Sequence, residues 1–503
     1  MNIGKSSPGR SNIYNWGLPA LSGLLMTLSL PPLPLNWLAW IGLLPLFRSL
    51  EANSFRGGFR LGYRAGFIYY LGSLYWIILN TGATPVLRLL SLIGVLLILP
   101  LIWGISAWLT ARIRRFWGPI GWVFAPLIWT AVEVVFSIGE IGFPWAVFAL
   151  SQSRFLDLIQ IAELTGVLFM ITWRESRTKP RIAGILLIAA VWIFLPANWG
   201  RYRIKCLPAS SDNLVVGIVQ GNIPAEHKWK KGVDFSLIPY MKLSSELAAD
   251  SVQLIVWPET AVPTQLAKRW HHRRRLHQFV DSLDVPLITG ASDYQLTESG
   301  KLQRFNGAFL FNPGTIDLGT YHKIHPVPFG ERIPWQRWLP FLGSFRLGQA
   351  EFTPGTEYTI FAPKHDRWHT SVLICFESIL PGLSRKFVLN GAQFLINITN
   401  DGWFGRCSEP YQHLELTRFR AVETRRWVVR AANTGISAVF SPDGRIQKRS
   451  KLLHQETLSQ TIELRQDSTF FVRHGNWFPI CCGTLSLICI LALEITRKRD
   501  ARR

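Results

Sequence analysis

The apolar residues of this chain are unevenly spread: they crowd into the first two hundred positions and one stretch near the C-terminus. A helix needs about 20 mostly apolar residues to cross roughly 30 Å of hydrocarbon, so this clustering decides most of what the chain can fold into. Candidate spans fall at 16–30, 35–47, 62–79, 86–109, 122–138, 164–173, 182–199 and 477–495. The first leads straight into the others without a small-residue cleavage site, so no cleaved signal peptide is expected. Charged residues make up 17% of the chain, against about 25% for an average soluble protein. With 48% hydrophobic residues and 22 Trp, a disordered chain is excluded. Six Cys in 503 residues exclude a small disulfide scaffold. A membrane protein with a large soluble part is expected.

The basic residues suggest an orientation. Lys and Arg exceed Asp and Glu by 54 − 32 = 22, and those in the helical part gather in alternate connections. Arg48, Arg56 and Arg60 form one group, Arg112, Arg114 and Arg115 a second, and Arg174, Arg177, Lys179 and Arg181 a third. The tail after position 495 adds Arg497, Lys498, Arg499, Arg502 and Arg503, whereas the connections at 31–35, 80–85 and 137–153 are poor in basic residues. Because basic loops stay in the cytoplasm, eight spans put both termini there and the region between the seventh and eighth spans outside. The sixth span is short: its ten or so apolar residues before Arg174 reach only about 15 Å as a helix. As a re-entrant segment it breaks the parity, and the soluble region then sits in the cytoplasm.

Between the last two spans the texture changes. Apolar β-rich runs at 214–220, 254–257, 286–289, 308–311, 370–375, 394–399 and 437–440 read as buried strands. Helices fit between them at 233–249, 268–283 and 411–432. The expected organisation is about seven transmembrane helices over 1–205, an α/β sandwich domain over 206–470, and a final transmembrane helix with a basic tail over 471–503. There is no internal repeat.

Three short motifs stand at or near the ends of these runs: Val256-Trp257-Pro258-Glu259-Thr260, the segment from Tyr321-His322-Lys323 to Gly330-Glu331, and Leu373-Ile374-Cys375-Phe376-Glu377-Ser378. Strand ends are where α/β folds place reactive groups. A Glu, a Lys and a Cys gathered there would supply a base, a cationic stabiliser and a nucleophile. Taken singly, each has a plain structural reading: a Cys in a strand is usually a small buried hydrophobe, and a loop Glu or Lys a solvated charge.

As a set, the three motifs resemble those of the nitrilase, or carbon–nitrogen hydrolase, superfamily, which implies an αββα sandwich with Glu259, Lys323 and Cys375 as its catalytic triad. With several N-terminal spans and one C-terminal span, nearly the whole chain resembles the apolipoprotein N-acyltransferase family, which performs the last step of bacterial lipoprotein maturation. Val219-Gln220-Gly221-Asn222-Ile223-Pro224, Gly142-Phe143-Pro144-Trp145 and Asn400-Asp401-Gly402-Trp403-Phe404 match it too. The resemblance implies a membrane phospholipid as acyl donor, a Cys375 thioester, and the α-amine of a diacylated apolipoprotein as acceptor, with ping-pong kinetics. It also implies a multi-pass inner-membrane protein with its catalytic domain on the periplasmic side. Glu331 matches a second essential glutamate, and Trp229, Phe376 and Glu377 match positions that shape or support the site.

This sequence departs from the family in places. Phe376 stands where Tyr is common, the sixth span is short, and the Arg that often follows the carboxylate matched by Glu133 is missing. Inside a span, Glu133 is expected to hydrogen-bond within the protein or to meet lipid substrate. No metal site is expected, since His322 with His325 and His271 with His272 lack further ligands. The run from His271 to Arg275 suits a solvated face or anionic headgroups rather than nucleic acid. Asn397-Ile398-Thr399 is a glycosylation pattern by chance, and no cofactor is indicated. A monomer is expected. Segment 332–350, rich in Trp, Phe, Leu and Pro, suits either a lipid-dipping lid or a packed surface loop. Two other functions fit parts of the pattern: a membrane-tethered amidase acting on small amides, and an inactive lipid-binding homologue.

Overall fold

The computed structural model describes residues 12–166, 194–336, 338–339, 341 and 351–500. The chain divides into two compact units: Met1–Ile78, Pro85–Arg203 and Asn476–Arg503 form one, and Leu79–Thr84 with Ile204–Gly475 form the other. The expected sixth and seventh spans, the basic group from Arg174 to Arg181 and the segment 332–350 lie wholly or partly outside the described residues.

The first unit is helical. Among the described residues, Pro85–Trp117 and Trp477–Thr496 are long and apolar enough to cross a membrane, and Gly121–Val135 is a shorter apolar helix. The stretch expected as one span at 86–109 is two helices, Pro85–Ile98 and Pro100–Trp117. Pro100 has no N–H to give the Leu96 carbonyl. The Tyr63 hydroxyl stands near the break instead, 3.4 Å from Leu96 O and 3.1 Å from Leu97 O. The span expected at 35–47 is likewise broken, into Asn36–Leu38, Ala39–Gly42 and Leu44–Ala52, with Pro45 opening the last piece. Helix Gly58–Leu74 packs closely on Pro100–Trp117, because a Cβ on Gly62 would lie 2.3 Å from Trp103 O. Small residues at such contacts are how apolar helices associate without a hydrophobic driving force between them.

Of the described carboxylates in this unit, Glu163 and Glu494 pair with arginines, and another accepts a backbone hydrogen bond. Glu133 is buried, and its Oε1 accepts the Phe148 N–H at 3.2 Å. Glu163 is buried against Arg203, with contacts of 2.5 and 3.3 Å. Arg112 pairs with Glu494.

The second unit is a sandwich of two sheets. The first has the order β12-β1-β2-β4-β5-β6, with β3 paired to β4. Its strands are β1 (Asn213–Gln220), β2 (Leu254–Val256), β3 (Val262–Gln265), β4 (Leu287–Leu296), β5 (Leu302–Phe311), β6 (Leu318–His322) and β12 (Glu456–Glu463). The second has the order β11-β10-β9-β8-β7, built from β7 (Thr370–Ile374), β8 (Phe394–Thr399), β9 (Val428–Ala432), β10 (Ala438–Phe440) and β11 (Ile446–Arg449). Residues alternate between the two faces of a strand. Val216 and Ile218 of β1, Leu254 and Val256 of β2, and Ala308 and Leu310 of β5 therefore face the second sheet. Val219, Ile255, Phe309 and Phe311 face outward onto helices Val233–Ala248 and Trp270–Leu283. Leu383 and Phe387 of Pro381–Leu389 and Leu414 and Ala421 of Glu409–Thr424 cover the second sheet.

The helix expected at 411–432 stops at Thr424. Arg425 adopts φ +50°, and the β-branched Val428 and Val429 that follow enter β9 between β8 and β10. Strands β3, β6, β11 and β12 also went unread in the sequence, the last two because they are polar and half-exposed.

Candidate active site

Hydrogen bonding within the first sheet carries two motif residues toward each other. β2 runs parallel to β4, and beyond its end Trp257 N–H donates to Ile288 O at 2.8 Å. Glu259 then passes over Gly290: a Cβ there would lie 2.7 Å from Glu259 Cα, so only glycine admits this approach. β4 pairs with β5, β5 with β6, and Lys323 N–H extends that last ladder by donating to Asn306 O at 2.9 Å.

Asn306, a polar residue inside an apolar strand, links the carboxylates. Its Nδ2 donates to Glu259 Oε1 at 2.7 Å and to Glu331 Oε1 at 3.3 Å. Glu331 Oε2 holds the buried Lys323 Nζ at 2.7 Å and accepts Val327 N–H at 2.8 Å. Asn306 was not singled out in the sequence; its only signal there is an amide amid Phe305, Gly307, Ala308 and Phe309.

Cys375 comes from the second sheet, as the first residue after β7. It opens the short 3-10 turn Cys375–Ile379 at φ +51°, a left-handed conformation that non-glycine residues seldom adopt and that marks functional turns. Glu377 ties this turn to the Lys323 loop. Its Oε1 accepts from Tyr321 Oη at 2.8 Å, Ile324 N at 2.8 Å and His325 N at 3.0 Å, and its Oε2 from Ile374 N at 2.8 Å. It is fully buried and braces the site rather than lining it. Phe376 is buried, whereas Trp229 stands 52% exposed.

The charges of the cluster act on one another. Burial and the Glu259 charge push the Cys375 thiol well above its ordinary value, against the pull of Lys323. Burial raises the Glu259 carboxyl as well, with Lys323 opposing and Glu331 adding to the rise. For Lys323 burial works downward, but Glu331, Cys375 and Glu259 outweigh it and hold the ammonium charged. Burial lifts Glu377 to about 7, against Lys323 and the donors around it. The resting arrangement is a thiol and a carboxyl both held above their ordinary values, beside a permanent cation.

Beneath Cys375 lies a second buried group. Asp401 Oδ1 accepts from Thr399 Oγ1 at 2.8 Å and lies 3.1 Å from His413 Nδ1, and Asp401 Oδ2 is 2.8 Å from Arg430 Nη2. His413 Nε2 lies 3.2 Å from Cys375 O and 2.9 Å from Ser378 Oγ. Asp401, Glu409 and His413 have ligand atoms within 4.8 Å of one another. Arg430 Nη2 is also 3.1 Å from His413 Nδ1, so a guanidinium supplies the positive charge that an ion would bring. Of the histidines set aside as metal ligands, His322 has a local partner: its Nε2 lies 2.9 Å from Asp293 Oδ2, and its ring stacks on Phe305.

Residues 215–466, half of the chain, match the Carbon-nitrogen hydrolase family, and residues 22–174 match the Apolipoprotein N-acyltransferase N-terminal domain. The apolipoprotein N-acyltransferase of Geobacter metallireducens is 33% identical, over 96% of this chain and 95% of its own. That of Chlorobaculum tepidum is 30% identical, over 96% and 97%. Among solved structures, the carbon–nitrogen hydrolase of Helicobacter pylori G27 covers 50% of this chain and 89% of its own, at a TM-score of 0.39 and 15% identity. These relatives and the two apolar helices of spanning length place the chain in the inner membrane. Matched in both its helical and its sandwich parts and along nearly its whole length, the chain belongs to the apolipoprotein N-acyltransferase family.

Proposed function

We propose that this enzyme moves a fatty acyl chain from a membrane phospholipid to the α-amine of the N-terminal diacylglyceryl-cysteine of an apolipoprotein, through a thioester on Cys375. The observation that carries this reading is the hydrogen-bonded chain from Glu259 through Asn306 and Glu331 to Lys323, with Glu377 tying the Cys375 turn to the Lys323 loop.

Because the thiol is held above its ordinary value, the nucleophile has to be deprotonated as it attacks. Glu259 takes the Sγ proton while sulfur adds to the ester carbonyl of the phospholipid. The oxyanion is met by Lys323, whose charge Glu331 maintains, and by a backbone N–H beside the nucleophile. Collapse breaks the ester C–O bond, and the leaving lysophospholipid oxygen takes the proton from Glu259. The acceptor amine then attacks the thioester and gives its proton to Glu259, which returns it to sulfur as the amide forms. Trp229, Phe376 and Glu377 belong to the surroundings of these steps, Glu377 by fixing the two motif loops.

The same reading includes a multi-pass topology, the division into 1–205, 206–470 and 471–503, and a catalytic domain on the periplasmic side, supported by the alternation of basic loops. Intact mass spectrometry after incubation with a defined phospholipid tests it, with Cys375→Ala as control. The expected result is a fatty-acyl increment on the wild type alone, discharged by a diacylated lipopeptide. Turnover of small amides without that increment would replace the transferase with a membrane-tethered amidase.

A further inference from the structure

A buried ammonium that the steps above do not use lies beside the base. Lys228 ends the short helix Ala225–Lys228 and is 1% exposed, while its neighbour Trp229 stands outside. The loop that carries it is pinned at both backbone and side chain. Asn222 N–H donates to Asn433 O at 2.9 Å, Ile223 N–H to Asn433 Oδ1 at 2.9 Å, and Asn433 Nδ2 to Ile223 O at 2.7 Å. Burying a charge is unfavourable unless something answers it. The hydrogen-bond partner that Lys228 has is the hydroxyl of Thr260, 3.4 Å from Nζ.

Thr260 is itself unusual. It follows Glu259 directly and adopts φ +48°, a conformation rare for a β-branched residue and sustained only where the surroundings impose it. Glycine would take it without strain, so a threonine here points to use of its hydroxyl. Lys228 and Glu259 also act on each other's charge: each favours the ionised form of the other.

We propose that Lys228 is a positioning residue for the general base: its ammonium clamps the Thr260 hydroxyl, so fixing the backbone at Glu259, and adds a positive charge to that side of the cluster. This rests on the reading of Glu259 as the base. The charged and titratable groups that bear on Glu259 are Lys323 and Lys228, which favour its ionised form, and Glu331 and Cys375, with Asn306 donating a hydrogen bond. Lys323 acts on Glu259 more strongly than Lys228 does, although it also pairs with Glu331 at 2.7 Å, so Lys228 is the second cation of the site. Burial lowers Lys228 to about 8, so its help is present below that pH and fades above it.

The test is the pH dependence of Cys375 alkylation by iodoacetamide in the full-length protein, read by peptide mass spectrometry. Alkylation needs the base but no acyl substrate. Lys228→Met is expected to move the acid limb upward by about one pH unit, a tenfold slower reaction on that limb, and to converge with wild type above about pH 8. Lys228→Arg is expected to keep the wild-type limb, and Thr260→Val to move it the same way by less. An unmoved limb in Lys228→Met, or an equal displacement in Lys228→Arg, overturns the proposal. If Lys228→Met does not fold, Lys228→Gln and Thr260→Val carry the test, and unmoved limbs in both overturn it. A displaced limb in a protein that forms no acyl-enzyme would keep this role and remove the transferase reading; acyl transfer with an unmoved limb would do the reverse.

Discussion

Two buried polar clusters lie close together in the sandwich and are put together on opposite principles. Around Asp401, opposite charges meet at hydrogen-bond distance: Arg430 and His413 hold the carboxylate well below its ordinary value although burial pushes it up. Around Glu259, burial prevails instead, and thiol and carboxyl both sit above their ordinary values. The Asp401 cluster is braced by Thr399, Asn397 and Thr417. The Glu259 cluster includes Cys375 and Thr260, both at left-handed φ. The Asp401–Arg430 ion pair makes a support, although burial and Asp401 raise the neighbouring Glu409. Groups held away from their preferred protonation states, on strained backbone, make a site that can move protons.

The contrast can be broken most severely at Arg430. Arg430→Met leaves Asp401 buried without its guanidinium and should destabilise the sandwich by about 3–5 kcal/mol, seen as a large fall in thermal midpoint. Unchanged stability would mean that the lower cluster is not a brace. Lys323→Met should do the opposite: acylation of Cys375 falls by about 10²–10³-fold, while the protein still folds. If thermal stability falls in Lys323→Met as far as in Arg430→Met, the two clusters do the same work.

Gly290→Ala sharpens the comparison without touching a charge. A Cβ 2.7 Å from Glu259 Cα forces the base aside, and a shift of that kind should slow acylation by about 10²-fold with only a modest loss in thermal midpoint. The smallest effect is expected from Phe376→Tyr. The ring is buried, so an added hydroxyl needs a partner there, and a stability loss of about 1 kcal/mol with acylation within a few-fold of wild type is the expected outcome.

The three motifs of the proposed triad could be read from the chain because each is a local string at or near the end of a strand: Glu259 after β2, Lys323 after β6, Cys375 after β7. Asn306 could not, because a single amide in a strand has no local signature and acquires its role only when β6 is laid beside β5. Lys228 and Thr260 carry no signal of their pairing in the sequence, and only the fold brings them together. Arg430 was hidden by an error of period: 411–432 reads as one helix, and the turn at Arg425 that separates helix from strand is set by packing between β8 and β10. The broken helices around Pro45 and Pro100 show the same limit, since hydropathy counts apolar residues but does not register a missing N–H.

The sequence by itself determined the class of molecule, an apolar helical part joined to an α/β sandwich, because burial of apolar residues with period two or in long runs has few solutions. It also singled out the Glu, Lys and Cys proposed to carry the chemistry, because each stands in a contiguous motif. The tertiary structure decided which polar residues support them. Whether a buried carboxylate is a base or a brace depends on the charges set within a few ångströms of it, and those come from strands and loops distant along the chain.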